Sequence, residues 1–246
     1  MERETTRPPT TDPQDERLDV LTAEGARTGT TASRGEVHAR GLWHPAFHLW
    51  IAYQERGEFT VLLQRRSLTK DTMPGKVDVS VGGHFRAGEY DPGNRGSRRV
   101  LRAVCRELAE ELGLAVDPGV LRWVGTRWSE ACSAGVVDRE VQELFVWLPA
   151  RRPERLVPDP REVSAVLAVP VGALRRLLGD GVEADVVVLW RDGTEPLGRE
   201  HVGRADLVPG RGGYWLAMLE LLERWRHGQE FEPLVLRDQA GCGEEA

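Results

Sequence analysis

Three glutamates within five residues are the feature of the sequence that points most directly to chemistry. Glu107, Glu110 and Glu111 are separated by steps that place them on one face of a helix. Carboxylates clustered in this way repel one another, and a hard divalent cation such as Mg²⁺, which takes oxygen ligands, relieves the repulsion. Arg106, four positions before Glu110, is placed to orient a carboxylate through charge-assisted hydrogen bonds. The pattern is typical either of a metal site or of a solvated helix face rich in Glu and Arg.

The residues around these glutamates predict the elements that position them. Apolar residues recur at steps of three and four, as on an amphipathic helix: Leu101, Val104, Leu108 and Leu112. Ser97 is placed to cap the start of this helix, and Gly113 to end it. Upstream, the extended run 76–81 leads into Gly82 and Gly83. The order predicts a strand, then a glycine-rich loop whose backbone can approach a ligand closely, then the acidic helix.

Together these residues resemble the Nudix box, G-x5-E-x7-R-E-U-x-E-E-x-G-U, in which U is a bulky apolar residue. Gly83 matches the first glycine, Glu89 the first glutamate, and residues 106–114 the remaining positions without a substitution. The chain departs from the family pattern in one place, because sixteen residues, 90–105, stand where the family has seven. The turn-rich composition of residues 90–96 indicates that the extra nine form a surface loop inserted before the helix.

The resemblance implies an α/β fold, with a mixed α+β sheet in the α/β/α sandwich of Nudix domains and the box as a loop–helix–loop. It also implies hydrolysis of a diphosphate bond in a nucleoside diphosphate-linked or related organic diphosphate, with Mg²⁺ (or Mn²⁺) as the cofactor. Glu107, Glu110 and Glu111 are then the metal ligands. Arg106 orients a glutamate, and Gly83 lets the loop approach the helix and the substrate closely.

A longer stretch resembles the branch of the superfamily that contains isopentenyl-diphosphate isomerases and their hydrolase relatives. The similarity runs through residues 65–75, 80–84 and 87–89. In the isomerases a cysteine directly before the Gly-His pair performs proton chemistry, whereas this chain has Gly82 there, which has no side-chain proton to exchange. This difference and the intact glutamates of the box favour hydrolysis over isomerisation.

Histidines and carboxylates outside the box resemble the metal ligands of that branch: His38, His44, His84, Asp138 and Glu140. The resemblance makes His44 and His84 candidate ligands, but a lone histidine at the start of a buried strand more often makes a structural hydrogen bond than binds a metal. His38 matches less well, because its spacing to His44 is one residue short.

Further candidates follow from a strand and from a basic cluster. Side chains alternate along a strand, so Glu140 and Glu143 point to opposite faces. Of these two we prefer Glu140 as the general base of the reaction, and Glu110 of the box is the other candidate. Arg66 and Lys70 precede the glycine pair and are expected to bind substrate phosphates. A solvated surface is the alternative for these two cations.

Composition limits the possible partners. The 246 residues suffice for one sizeable core, and 40% hydrophobic and 29% charged residues are ordinary for a globular protein. A net charge of −6 does not favour nucleic acid or an anionic membrane as a partner. No apolar run is long enough to span a membrane, and the three cysteines form no CxxC pair, so a reducing cytoplasm fits best. The chain gives no sign of whether it is a monomer or a homodimer.

The predicted elements divide the chain into three parts: a disordered tail over 1–17, a single domain over 18–234, and a flexible tail over 235–246. Residues 26–35 are predicted to form a loop. The order of strands and helices in the domain suits a mixed-sheet α+β or α/β sandwich. Two alternatives to hydrolysis stay open, namely isomerisation of an allylic diphosphate and a catalytically silent binding or regulatory module of the Nudix fold.

Overall fold

The computed structural model describes residues 10–133, 136–191 and 198–238. The strands within these ranges are β1 (Arg17–Leu21), β2 (Arg27–Ser33), β3 (Trp43–Glu55), β4 (Glu58–Arg66), β5 (Val77–Asp78), β6 (Val81–His84), β7 (Arg122–Ser133), β8 (Val136–Trp147), β9 (Val163–Pro170), β10 (Ala184–Arg191), β11 (Gly198–Val202) and β12 (Leu234–Arg237). The helices are α1 (Arg34–Arg40), α2 (Arg98–Leu112), α3 (Val171–Asp180) and α4 (Gly212–Arg226).

Most of the strands form one mixed sheet in the order β11-β10-β9-β4-β3-β8-β7-β12, with β5 beside β4 and β6 beside β3. The pairs β3–β8 and β7–β12 are parallel, whereas neighbours such as β3–β4 and β7–β8 are antiparallel. Strands β1 and β2 form a separate antiparallel hairpin. The mixed sheet confirms the predicted fold class.

Alternation along β3 explains why the sheet has an apolar core on each face. Phe47, Leu49 and Ile51 pack with the apolar side of α2, whereas Trp50 and Ala52 pack with α3 and α4. Successive side chains of a strand point to opposite faces, so the nearly continuous apolar run of β3 supplies both cores. Each large side chain buried in this way contributes about 2 kcal/mol. Helices therefore cover both faces, as in an α/β/α sandwich.

Two loop predictions are wrong. Residues 27–33, within the predicted loop 26–35, form β2, because threonines suit a strand and the segment pairs with β1. Gly82 and Gly83, predicted in a loop, lie in strand β6 and pair with His48 and Phe47 of β3.

The described parts of the two predicted tails are attached to the fold, which corrects both boundaries. Asp12, within the predicted disordered segment 1–17, is buried, and its carboxylate accepts hydrogen bonds from Lys70 and from the backbone N–H of Asp71. Residues 235–237, predicted to be flexible, belong to β12 and pair with β7. The remaining tail residues, 1–9 and 239–246, lie outside the described residues. No helix in the described ranges has the length and apolar character to cross a bilayer.

Candidate active site

Helix α2 brings the three glutamates to the wall of one cavity. The side chain of Ser97 caps the first turn, and the helix ends at Gly113, whose φ of 69° is left-handed, both as predicted. One face of the helix is buried in the core: Val100, Val104, Leu108 and Leu112. Glu107, Glu110 and Glu111 line a cavity of about 380 Å³, which we call the first cavity.

Arg106 connects three carboxylates beside this cavity. Its guanidinium donates hydrogen bonds to Glu107, to Glu110 over 3.2 Å and to Glu89 over 2.9 Å. Glu89 keeps this contact although the extra residues lie between it and the helix. The geometry supports the predicted orienting role of Arg106 and brings Glu89 into the same network.

The inserted segment is anchored in the core rather than lying wholly on the surface. Tyr90 is fully buried and donates to Glu143 over 3.0 Å, and Arg95 donates to the same carboxylate over 3.1 Å. Trp123 and Thr126 also donate to Glu143, over 2.7 and 2.8 Å. A buried carboxylate with four donors is well satisfied. Glu143 is therefore a structural residue on the face opposite Glu140.

Gly83 lies where the backbone of β6 comes close to α2. A Cβ atom at this position would stand 2.9 Å from Glu107 Cγ and 3.1 Å from Glu107 Cδ. Such short contacts are repulsive, so glycine leaves the room that the Glu107 side chain occupies. At the neighbouring Gly82 the nearest atom, His48 Cδ2, would be 3.4 Å away, which leaves space for a methyl group.

Burial changes the protonation of two of the three glutamates. Loss of hydration raises the pKa of Glu107 to about 7 and that of Glu111 to about 8. Neighbouring carboxylates add to the rise, while Arg106 and Lys70 respectively oppose it. Gln64 Nε2 donates to Glu111 Oε2 over 3.0 Å. Without a cation these two carboxyls hold protons near neutral pH, and a bound cation displaces them.

Arg66 and Lys70 line the same cavity, but both already have partners. Arg66 donates to the carbonyl oxygen of Thr72 over 3.0 Å and to its hydroxyl over 3.1 Å. Lys70 donates to Asp12 and Glu162. Their positive charge reaches the cavity wall, and their role as phosphate ligands stays a prediction.

A second group, which we call the histidine cluster, is assembled from separate elements. It comprises His38 of α1, His44 of β3, His84 of β6, and Asp138 and Glu140 of β8. Ligand atoms of the three histidines lie within 4.8 Å of one another, and so do those of His44, Asp138 and Glu140. All but His44 line the first cavity. The chain therefore brings together all five residues that the isomerase resemblance singled out.

Hydrogen bonds with groups outside the cluster determine which ring nitrogen of His44 and His84 carries the proton. His44 Nδ1 lies 2.9 Å from the carbonyl oxygen of Leu42 and carries the proton, so Nε2 presents its lone pair to the cluster. His84 Nδ1 accepts a hydrogen bond from Arg34 over 2.9 Å, because arginine can only donate. His84 Nε2 then carries the proton and donates to Glu140 Oε1 over 3.2 Å. The tautomer of His44 is thus one that can bind a metal ion through Nε2, whereas Arg34 holds His84 as a donor.

Burial keeps the histidines neutral. It lowers the pKa of His44 to about 4 and that of His84 to about 3. The pKa of His38 is also lowered, and the nearby Arg34 adds to the effect on all three rings. Neutral imidazoles are the form that binds a metal.

The two carboxyls of the cluster titrate in opposite directions. Burial and the adjacent Glu140 raise the pKa of Asp138 well above its usual range. Burial acts to raise the pKa of Glu140 as well, but the hydrogen bond from His84 and the nearby histidines hold it well below the usual range. Asp138 therefore keeps its proton to a higher pH than Glu140 does when no cation is bound.

Two polar atoms of the cluster have no hydrogen-bond partner among the described residues. Asp138 Oδ1 and His38 Nε2 are both buried, and they lie 3.7 Å apart. Buried polar atoms without partners are rare, and a divalent cation held by these side chains would satisfy both. Imidazoles and carboxylates together suit ions such as Mn²⁺ or Zn²⁺. The residues of the cluster therefore fit a metal ion.

Sequence reasoning missed several charged residues of the first cavity, among them Arg34, Asp78 and Arg211. Arg34 binds Asp71 through two hydrogen bonds of 3.0 Å, and Arg211, just before α4, donates to the buried Asp78. Arg34 and Arg211 come from segments far from the box, and none of the three residues belongs to a local pattern, so only the folded chain reveals them.

Comparisons with known proteins identify a family and several relatives of this chain. A sequence model of the NUDIX domain matches residues 42–190. Over 212 residues the chain is 29% identical to an uncharacterised Nudix hydrolase of Clostridium acetobutylicum, which spans 85% of this chain and 98% of that protein. Over 135 residues it is 32% identical to an isopentenyl-diphosphate Delta-isomerase of Escherichia coli, spanning 55% of this chain and 68% of that protein. The crystal structure of a Nudix hydrolase from M. smegmatis aligns with a TM-score of 0.47 and 18% identity, over 83% of this chain and 94% of that one.

Proposed function

Because the chain belongs to the Nudix family of hydrolases, we propose that it is a Mg²⁺- or Mn²⁺-dependent enzyme that cleaves a diphosphate bond in a nucleoside diphosphate-linked or related organic diphosphate. Diphosphate-bond hydrolysis is general to the family. The cation, the substrate class and the roles of the residues are our proposal.

The observation that carries the proposal is that acidic and basic side chains converge on one cavity. Glu107, Glu110 and Glu111 line one part of its wall, and Arg66 and Lys70 line another. The carboxylates supply the oxygen ligands that Mg²⁺ prefers, and the cations favour a phosphate group. When bound, the metal ion neutralises diphosphate oxygens and lowers the pKa of water.

The chain's own residues position the reaction and accept its proton. Arg106 holds Glu107 and Glu110 in place. Water attacks one phosphorus atom, the bond from that phosphorus to the bridging oxygen breaks, the leaving phosphate takes the electron pair, and a carboxylate accepts the proton of the water. Glu140 is engaged by His84 and Gln142, whereas half of the Glu110 side chain is open to solvent. This difference favours Glu110 as the base.

The test is metal-dependent release of phosphate or nucleotide from a panel of nucleoside diphosphate compounds. It uses Mg²⁺, Mn²⁺ and a chelator, with the wild type, Glu111→Gln and the exposed surface variant Glu154→Gln as the matched control. We expect release that falls by about 100-fold or more in Glu111→Gln and does not change in Glu154→Gln. Absence of release from every compound would reject the hydrolase, and a compound that then raised the melting temperature would support a binding module.

The histidine cluster supports a second candidate, an isopentenyl-diphosphate isomerase-like reaction. Its five residues resemble isomerase ligands and do meet in the structure, and the relatives of the chain include isopentenyl-diphosphate isomerases. Gly82 counts against this reaction because it supplies no acid or base. Isomerisation of isopentenyl diphosphate without phosphate release would favour the second candidate over the first.

A further inference from the structure

Part of the wall of the first cavity is built by residues that precede the matched NUDIX domain. That match begins at residue 42, yet several earlier residues line the cavity: Asp12, Pro13, Glu16, Arg34 and His38. His38 belongs to the histidine cluster, and Arg34 contacts that cluster through His84. The other three lie in a separate stretch, residues 11–16, which we call the N-terminal segment. This segment therefore stands at the same cavity as the glutamates of α2.

Backbone hydrogen bonds fix the path of the N-terminal segment along the cavity. At one end, the N–H of Thr11 donates to the carbonyl oxygen of Thr69 over 3.2 Å. At the other end, the carbonyl oxygen of Glu16 accepts a hydrogen bond of 2.8 Å from the N–H of Arg34. Between them, Asp12 is only 5% exposed. A buried carboxylate requires donors, and Asp12 finds them in the chain that follows Thr69.

Each carboxylate oxygen of Asp12 has a donor in that chain. Oδ1 accepts a hydrogen bond of 2.5 Å from Lys70 Nζ, and Oδ2 accepts one of 2.7 Å from the backbone N–H of Asp71. The guanidinium of Arg34 lies 3.7 Å from Oδ1. Asp12 thus fixes both the ammonium of Lys70 and the backbone next to it.

Lys70 is a buried cation whose charge acts on three carboxylates. Its ammonium donates to Asp12 and to Glu162, each over 2.5 Å. Its charge also reaches Glu111 and opposes the rise in the pKa of that carboxyl. An ammonium paired directly with Glu111 would compete for the carboxylate oxygens that a divalent cation needs. The position of Lys70 therefore bears on how well Glu111 can bind a cation.

We propose that Asp12 is a positioning residue of the metal site, which holds the ammonium of Lys70 so that Glu111 is available to a divalent cation. If Asp12 loses its charge, Lys70 keeps one carboxylate partner fewer, and a buried charge that loses a partner is costly. The ammonium then turns to Glu111 and neutralises it. A divalent cation must displace the ammonium and so binds less tightly. The inference rests on the proposed function, because it takes Glu111 as a ligand of the proposed metal site.

The experiment measures Mg²⁺ binding by calorimetry, without substrate, and asks whether Lys70 causes the change. Asp12→Asn keeps the shape of the side chain and one acceptor oxygen, which the N–H of Asp71 can use, but its amide nitrogen cannot accept from Lys70. The second variant combines Asp12→Asn with Lys70→Met, and Lys70→Met alone is its reference. Asp180→Asn is the matched control, because Asp180 is exposed at the end of α3 and does not line the first cavity.

We expect Asp12→Asn to weaken Mg²⁺ binding by about tenfold or more, and Asp180→Asn to bind like the wild type. The double variant should bind Mg²⁺ as tightly as Lys70→Met does. A loss of packing would not be reversed by the second substitution, so this recovery identifies the ammonium as the cause. If Asp12→Asn fails to fold, Glu162→Gln repeats the test, because it removes another carboxylate partner of Lys70. It should show the same loss and the same recovery.

The inference is wrong if Asp12→Asn binds Mg²⁺ like the wild type, if the double variant stays as weak as Asp12→Asn, or if the wild type binds no Mg²⁺. Hydrolysis is measured separately, by phosphate release from the panel of nucleoside diphosphate compounds. We expect saturating Mg²⁺ to restore the activity that Asp12→Asn loses at low Mg²⁺, and a lasting loss would contradict the inference. Absence of release from every compound would reject the hydrolase, while the Mg²⁺ affinities would still decide the role of Asp12.

Discussion

The glutamate cluster of α2 and the histidine cluster beside it are candidate metal sites built in opposite ways. Glu107, Glu110 and Glu111 come from consecutive turns of one helix, whereas the histidine cluster draws on α1, β3, β6 and β8. A local distortion of α2 would displace the glutamates and leave the histidine cluster unchanged. The histidine cluster, by contrast, depends on the register of β3 against both β6 and β8.

Burial also affects the two clusters in opposite directions. It raises the pKa of Glu107 to about 7 and of Glu111 to about 8, so these ligands must lose protons before they bind a cation. It lowers the pKa of His44 to about 4 and of His84 to about 3, so the imidazoles are already free of the extra proton. The same low-polarity surroundings therefore make the protonation of the glutamate cluster depend on pH near neutrality, whereas the histidines of the other cluster stay neutral in that range.

The largest expected effect comes from removing one ligand of each cluster. We expect His44→Ala to weaken binding of Mn²⁺ or Zn²⁺ to the histidine cluster by about 100-fold or more, with little change in Mg²⁺ binding. Glu111→Gln should do the reverse, because Mg²⁺ prefers oxygen ligands. Calorimetric titration of each variant with each ion measures both effects. Loss of both classes of ion in one variant would show that the two clusters form a single site.

The next effect tests how closely β6 must approach α2. Gly83→Ala would place a methyl group 2.9 Å from Glu107 Cγ and so displace that ligand, and we expect kcat/KM to fall by about 100-fold. The matched variant is Gly82→Ala, whose methyl group would meet His48 Cδ2 only at 3.4 Å. It should retain most of the activity. Circular dichroism confirms that both fold, and equal activities would refute the steric role of Gly83.

The contrast between the clusters also explains what the sequence could reveal. The glutamates, their cap at Ser97 and the end of the helix at Gly113 follow from spacing within a single element, and the structure has all of them. The alternation that separates Glu140 from Glu143 is equally local, and it is also correct. Family resemblance pointed to the histidines, but no local pattern shows that they meet.

The parts that sequence reasoning missed depend on contacts between distant segments. Arg34 reaches His84 across the fold, and Arg211 reaches Asp78 from the start of α4. Strand β12 exists because its backbone pairs with β7, which its short sequence does not indicate. Because glycine is common in loops, the sequence predicts a loop at Gly82 and Gly83, whereas in the structure Gly83 is needed for space within a strand.

A smaller effect tests whether Arg34 weakens the binding of metal ions to the histidine cluster. Arg34 donates to His84 Nδ1 over 2.9 Å, which keeps the proton on Nε2, and its charge repels a cation. We expect Arg34→Met to tighten Mn²⁺ or Zn²⁺ binding by about tenfold, because the repulsion is removed and His84 Nε2 can present its lone pair. Mg²⁺ binding at the glutamates should not change. Weaker Mn²⁺ binding would instead identify Arg34 as a support that positions His84.

The smallest effect concerns stability in the absence of metal ions. The pKa of Glu111 is raised from 4.5 to about 8 in the folded protein, so the native state binds this proton more tightly than the unfolded state does. Its contribution to stability is complete below about pH 4.5 and is lost as the pH rises through about 8. The buried histidines act in the opposite sense, because their folded pKa values lie below 6.5. The effect of Glu111 is therefore clearest above pH 6.5.

With chelator present, we expect the melting temperature of the wild type to fall by about 2–4 °C between pH 6.5 and 8.5. Glu111→Gln cannot lose this proton, so its melting temperature should change less over the same range. Glu154→Gln, on the exposed surface, should follow the wild type. Adding Mg²⁺ at pH 8.5 should restore the wild type but not Glu111→Gln, because the ion takes the place of the lost proton. If the melting temperatures of the wild type and Glu111→Gln fall equally, the proton that is lost between pH 6.5 and 8.5 belongs to another group. The contrast between a pH-sensitive glutamate cluster and pH-insensitive histidines would then be wrong.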